Sequence, residues 1–463
     1  MKKLALSMML LMFVLGTASV LCAAEEASGT TVFVPEAEAK ITFAGELRFR
    51  GWFLHNMQDQ LDGRHYKTGM KKVDDDHTAF YDSLVRLSVD VRLGREAEGF
   101  LELDSGTDKT DGWRWGPGIS SDFGVTGIYP DGNIKTGGLK IRQAWVMYTK
   151  DIYGLKVGHQ LWFLGNKLFF NHTKFGDDGI RVIIDPCKEV HIEGSAIKFS
   201  EHGFAHPDDS DAYFVELKYN RDALKVGADV AYINDQGFSA MFPVYSHAHV
   251  WNFGLRADYT VGPATLRGDI ELQAGRLDGM GGVDDATVKG WAALAGVDYR
   301  IGGGVSVVLT LETAYGSGKS KDDKSSDFKT FITSLGLEPH YTFVYDYLLK
   351  TAAGGTFTGI ANTFYVKGGA SAGIMKDLDG ELYVYSLQAA RKVALNGGDP
   401  SKDLGVEIDA RLTYRLSKNL VYYVEGGYMF VGKAYDTITR ALPERETQRS
   451  DAYALRNRLQ LNF

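Results

Sequence analysis

The chain has 463 residues, with 51 lysines and arginines against 59 aspartates and glutamates, a formal charge of −8. That acidic balance argues against a nucleic-acid partner. Mean hydropathy is −0.18, and beyond the N-terminal segment no run of about 18 apolar residues exists, which excludes a transmembrane helix.

The first residues read as a secretory signal: Lys2 and Lys3 precede an apolar run from Leu4 to Val20, and small residues follow at Cys22, Ala23 and Ala24. Residues 1–24 are therefore expected to be removed, and 25–38 to form a short periplasmic leader. Leu21 stands where a lipobox needs a small residue, so plain cleavage is expected. Loss of Cys22 leaves only Cys187, and no intrachain disulfide can form. Loss of Lys2 and Lys3 takes the formal charge from −8 to −10.

From residue 39 onward, segments with a period of two recur. Ile41, Phe43, Leu47, Phe49 and Phe53 alternate with Thr42, Glu46, Arg48 and Arg50. Tyr81, Val85, Leu87, Val89 and Val91 alternate with Asp82, Arg86, Asp90 and Arg92. The same pattern runs through Trp251–Tyr259, Leu266–Leu272, Val305–Glu312 and Leu404–Tyr414. Short turns are expected near 94–99, 149–154, 185–189, 220–222, 260–263, 301–304, 375–380 and 416–419. Longer polar loops are expected near 54–79, 105–138, 162–178, 200–211, 234–248, 277–288, 317–362, 392–403 and 431–450. This strict alternation of short and long connections, over about eighteen strands, is the asymmetry of an outer-membrane barrel. The 54 glycines, 24 tyrosines and 25 phenylalanines suit tight turns and aromatic girdles.

The last strand completes the argument. Tyr453, Leu455, Leu459, Leu461 and Phe463 fall on one face; Arg456, Arg458, Gln460 and Asn462 fall on the other, and Asn457 alone breaks the apolar register. A terminal aromatic resembles the signature by which barrels are recognised for insertion, which makes the barrel-assembly machinery an expected partner through Phe463. The fold expected for 39–463 is thus all-β: a transmembrane antiparallel up-and-down barrel in the outer membrane of a Gram-negative bacterium, in contact with lipid and lipopolysaccharide, with homo-oligomers possible.

Residues on the polar faces would line the lumen. Closing the cylinder sets Arg456 and Arg458 beside Arg48 and Arg50, an arginine cluster at the seam. Arg86, Arg411, Glu407 and Asp409 complete the candidate solute contacts. A guanidinium fork suits carboxylates, and charged rings set pore selectivity. The alternative is that these charges pair across the wall only to stiffen it.

Leu139-Lys-Ile-Arg-Gln-Ala-Trp145, Leu155-Lys-Val-Gly-His-Gln160 and Phe175-Gly-Asp-Asp-Gly-Ile-Arg181 resemble a strand pair and following loop of the alginate-export family of porins. Tyr345-Asp-Tyr-Leu-Leu349, Gly359-Ile-Ala-Asn362 and Leu404-Gly-Val-Glu-Ile-Asp-Ala-Arg-Leu-Thr-Tyr414 resemble its C-terminal half. The resemblance implies an 18-stranded barrel passing an anionic polysaccharide, with Arg48, Arg411, Arg456 and Arg458 as lumen contacts. His159 stands where the family's strand carries arginine.

Other motifs lack their context. Gly316-Ser-Gly-Lys-Ser320 has Thr313 where a phosphate loop needs glycine. Gly369-Ala-Ser-Ala-Gly373 matches a nucleophile elbow but lies in a strand, not a strand-to-helix turn. The acidic stretches at 74–76 and 104–111 lack a calcium loop's spacing, and His55, His172, His191 and His247 have no metal-ligand spacing. No cofactor, metal or catalysis is expected. The reading is a passive channel for polysaccharide or small anionic solutes; a barrel enzyme such as a lipase or deacylase acting through Ser371, or a surface adhesin using loop 317–362, are the alternatives.

Overall fold

A computed structural model describes residues 39–56, 77–105, 113–114, 139–201, 209–237, 244–303, 305–320, 322–335, 341–350, 359–395, 399–438, 447–448 and 450–463. The signal and leader, and the acidic stretches at 74–76 and 106–111, lie outside the described residues.

Alternation in the sequence becomes alternation across a wall. The staves are β1 (Ala39–His55), β2 (His77–Leu93), β3 (Ala97–Asp104), β4 (Lys140–Lys150), β5 (Tyr153–Phe163) and β6 (Phe170–Cys187). Then come β7 (Val190–Ser200), β8 (Ser210–Arg221), β9 (Leu224–Asp235), β10 (Tyr245–Val261), β11 (Ala264–Gly279) and β12 (Trp291–Ile301). The last six are β13 (Val307–Gly316), β14 (Thr363–Met375), β15 (Leu378–Val393), β16 (Ser401–Arg415), β17 (Leu420–Val431) and β18 (Ala452–Asn462). Each pairs antiparallel with the next, and β18 pairs with β1. The sheet therefore closes as an eighteen-stranded barrel with no free edge, which is what a β-protein needs in lipid.

The faces sort as expected. Trp251, Phe253, Leu255 and Tyr259 of β10 are 40%, 44%, 56% and 47% exposed, whereas Asn252 between them is fully buried. Tyr213 stacks on Tyr232 and Trp251 on Phe253, and Tyr232 meets Trp251 in a tilted contact along the outer wall. An apolar exterior with aromatic belts around a polar interior is the pattern of an outer-membrane barrel, and this protein lies in the outer membrane. Asn457, the polar break on the outer face, accepts the Gly51 N–H through Oδ1 at 3.1 Å.

Eight turns of two to five residues join alternate strands, while the long connections fall at the other end. One expectation changes. The segment 162–178 is not a loop: only 164–169 intervenes between β5 and β6, and Phe175–Arg181 lies within β6. The polar Asp177-Asp178-Gly179 run disguised the strand. Gly176 absorbs the irregularity with φ +73, and a Cβ there would lie 2.5 Å from the Gln160 carbonyl oxygen. Ser371 sits mid-strand in β14, opposite Glu381 of β15, with no helix after it.

At the seam, Gly45 N–H donates to the Phe463 carbonyl at 2.8 Å and Phe463 N–H returns a bond at 3.0 Å. A Cβ on Gly45 would meet the Phe463 ring at 2.5 Å, whereas one on Gly99 would meet nothing within 4 Å. Gly45→Val is therefore expected to lower the heat-modifiable, folded fraction recovered from outer membranes, and Gly99→Val to leave it at wild type. Equal yields for the two would deny the seam this role.

Candidate functional site

The seam expectation rests on pairing register, and the register delivers it. Arg50 of β1 lies opposite Arg458 of β18, and Trp52 opposite Arg456. Arg48 and Arg50 are buried. Arg50 forks onto Asp82 at 2.6 and 2.8 Å, and Trp52 Nε1 donates to the same carboxylate at 2.9 Å. Arg86 reaches Asp104 at 2.6 Å and Glu46 at 3.1 Å. Arg456 pairs with Glu425 and lies over the Trp52 ring at 4.5 Å and the Phe343 ring at 5.1 Å. Arg50, Arg86 and Arg456 are thus committed to carboxylates, as in the wall-stiffening alternative.

Arg411 and Arg458 are placed differently. Both guanidinium groups lie over the ring of Tyr423 on β17, at 4.3 and 5.0 Å. Arg458 donates to Tyr423 Oη at 2.5 Å and lies 3.5 Å from Glu46, whose carboxylate also meets Arg86 and, at 3.8 Å, Arg48. Arg411 has no carboxylate within ion-pair distance among the described residues, and the Nε atoms of Arg411 and Arg458 make no hydrogen bond there. Arg458 and Arg48 thus share Glu46 with Arg86, and Arg411 beside them is in no ion pair among the described residues.

Glu407 and Asp409 also face inward, but a second segment occupies them. Glu407 accepts the N–H groups of Val344 at 2.5 Å and Tyr345 at 2.9 Å; Asp409 accepts that of Phe343 at 3.0 Å. Those donors lie at the start of a short helical turn, Tyr345–Lys350, whose first N–H groups have no partner within the helix. Thr342 Oγ1 accepts the Asp346 N–H at 2.8 Å, and Asp346 Oδ2 accepts that of Tyr341 at 3.2 Å. Phe343 stacks on Trp52, which stacks on Phe80 of β2.

The same connection, 317–362, touches the far wall as well. Ile332 exchanges hydrogen bonds with the Gln273 side chain of β11 at 2.8 and 2.7 Å. Ser334–Leu335 runs parallel to Phe170–Asn171 at the start of β6. Around the closed barrel β6 and β16 are ten steps apart one way and eight the other, so this loop crosses the lumen. Its apolar residues Phe331, Val344, Tyr345, Leu349 and Ile360 are buried and join a core with Trp162, Phe169, Phe170 and Trp52. On the stretch outside that core, bonds from Lys329 and Ser325 hold the Asp323 carboxyl below the usual carboxylate range.

Between β8 and β11 the inner wall is acidic. Arg256 bridges Glu216 and Asp229, the latter at 2.6 Å. Asp269 and Glu271 lie beside them, all four carboxylates buried. A Cβ on Gly254 would sit 2.7 Å from Asp229 and 2.8 Å from Glu271 oxygens. Both ring nitrogens of His159 are taken up within the wall, by Asp178 at 2.9 Å and the Phe175 carbonyl at 2.7 Å.

Tyr423 and Trp52 were missed as partners of the arginines. Their parity placed them inward, but each has an aromatic neighbour in sequence, Tyr422 and Phe53, that draws attention to the lipid face. No family model and no curated protein matches this sequence. Solved structures do. The chain is similar to Pseudomonas aeruginosa OccK2 (OpdF) in complex with glucuronate, at 10% identity, covering 91% of this chain and 98% of that one, with a TM-score of 0.51. It is similar to Pseudomonas aeruginosa OpdK with vanillate at 12% identity, covering 91% and 98%, with a TM-score of 0.50. The fold is that of an outer-membrane porin. At these identities the likeness speaks for the porin fold alone, and the alginate-export resemblance gains no family match from it.

Proposed function

We propose that the protein is a passive outer-membrane channel for small anionic solutes, with Arg411 and Arg458, backed by Arg48, as the groups a solute carboxylate meets. The observation that carries this reading is the pair of guanidiniums stacked on Tyr423, of which Arg411 is in no ion pair among the described residues. A guanidinium left unpaired in a watery lumen is a bidentate carboxylate contact. Arg50, Arg86 and Arg456 hold the wall that presents it, and Glu407 and Asp409 hold the loop that narrows the passage.

The loop core favours small solutes over a polysaccharide, because packed side chains span the lumen from β6 to β16. Glucuronate and vanillate, the molecules held by the two similar porins, are small carboxylates and fit this reading. The apolar belt would seat in lipid and lipopolysaccharide, and Phe463 would engage the barrel-assembly machinery.

Reversal potentials in planar bilayers under a salt gradient test the proposal. Wild type is expected to prefer anions, and Arg411→Gln with Arg458→Gln to cut the anion-to-cation ratio about fivefold, from about 1 kcal/mol for a close charge contact in water. An unchanged ratio would move the solute path away from this wall.

A further inference from the structure

The wall opposite the seam carries a constellation that transport does not use. The parallel pairing of Ser334–Leu335 with Phe170–Asn171 brings Ser334 Oγ to 3.1 Å from His172 Nε2. The other ring nitrogen, Nδ1, lies 2.7 Å from Asp177 Oδ2. Hydroxyl, imidazole and carboxylate thus stand in series, each within hydrogen-bond reach, which is the arrangement that activates a serine nucleophile.

Its surroundings hold it in place. His172 stacks on Phe170 at 4.3 Å and lies against Phe199 at 5.2 Å. Trp162 Nε1 donates to the Asp177 carbonyl at 2.9 Å. Between the histidine and the aspartate, Arg142 donates to the carbonyls of Thr173 at 2.6 Å and Lys174 at 2.8 Å. Ser334 is half-buried and the His172 side chain 21% exposed, so the site is neither sealed nor fully wet. Buried Phe169, Phe170 and Phe331 form an apolar shelf beside it.

We propose that Ser334, His172 and Asp177 hydrolyse small carboxylic esters with an apolar acyl group. Ser334 Oγ bonds to the ester carbonyl carbon as its proton passes to His172 Nε2, and Asp177 offsets the imidazolium charge. The bond from that carbon to the alcohol oxygen then breaks, and the alcohol leaves with the proton. A water from the lumen adds to the acyl carbon while His172 takes its proton. The bond to Ser334 breaks, the acid leaves, and the serine recovers its proton. This activity is separate from conduction, and either can fail without the other.

The test uses the full-length barrel in detergent, with a fluorophosphonate probe and p-nitrophenyl acetate. Wild type is expected to be labelled on the peptide carrying Ser334. Ser334→Ala is expected to lose both labelling and hydrolysis, and Asp177→Asn to slow hydrolysis by about a hundredfold or more. A folded wild type that takes no label on Ser334, or hydrolysis that survives Ser334→Ala, overturns the proposal. Ser334→Cys covers the case in which alanine does not fold, in a Cys187→Ser background because Cys187 is exposed and free. Iodoacetamide should then alkylate the introduced thiol at pH 6, and adding His172→Ala should slow that reaction, because an imidazolium partner favours the thiolate. Equal rates would also overturn it.

Discussion

Replacing Glu407 with leucine is expected to free the lumen loop and raise the conductance of the channel. Glu407 is fully buried and accepts two backbone N–H groups, from Val344 and Tyr345. Hydrogen bonds to a charged acceptor are worth about 1.5–3 kcal/mol each. Losing two therefore costs the docked loop about 3 kcal/mol or more, and the undocked fraction rises about a hundredfold or more. Single-channel recordings should show larger and noisier openings. Gly427→Val checks the same contact without replacing an acid. A Cβ on Gly427 would lie 2.5 Å from Asp409 Oδ1 and 2.9 Å from the Val344 side chain. It should loosen the loop in the same direction. If neither variant changes conductance, the loop does not set the width of the pore.

That loop shows where the sequence was legible and where it was not. Strand parity is local, so the inward placement of Arg48, Arg86, Arg411 and Arg458 followed from period-two spacing alone. Closure added the seam, because a barrel must join its first and last strands. Parity also placed Glu407 and Asp409 inward, but it says only that a residue faces the lumen. It does not say what fills the lumen there. The occupants are Phe343, Val344 and Tyr345, more than sixty positions earlier in the chain, and no spacing rule reaches that far. His172, expected in a loop and without metal-ligand spacing, hid its role for the same reason: its partner Ser334 is 162 positions away. The 170–187 strand was obscured by its own polar residues, since Asp177 bonds His172 rather than solvent.

The acidic wall carries the other large effect. Arg256→Met is expected to lower barrel stability by about 3–5 kcal/mol, the cost of breaking a buried ion pair from one side. Arg256 bridges Glu216 and Asp229, and Gly227 and Gly165 leave the space it occupies. Lys218, 2.6 Å from Glu216, is the second cation. Asp229 Oδ2 accepts no hydrogen bond among the described residues. Without the arginine, four buried carboxylates would face one lysine. Urea unfolding in detergent, followed by gel mobility, measures the loss. If the cause is uncompensated charge rather than lost packing, adding Glu216→Gln and Asp229→Asn to Arg256→Met should recover most of it. Such recovery is a strong departure from additivity, as expected for groups in one network. A triple variant no more stable than Arg256→Met would assign the arginine a packing role under Gly165 instead.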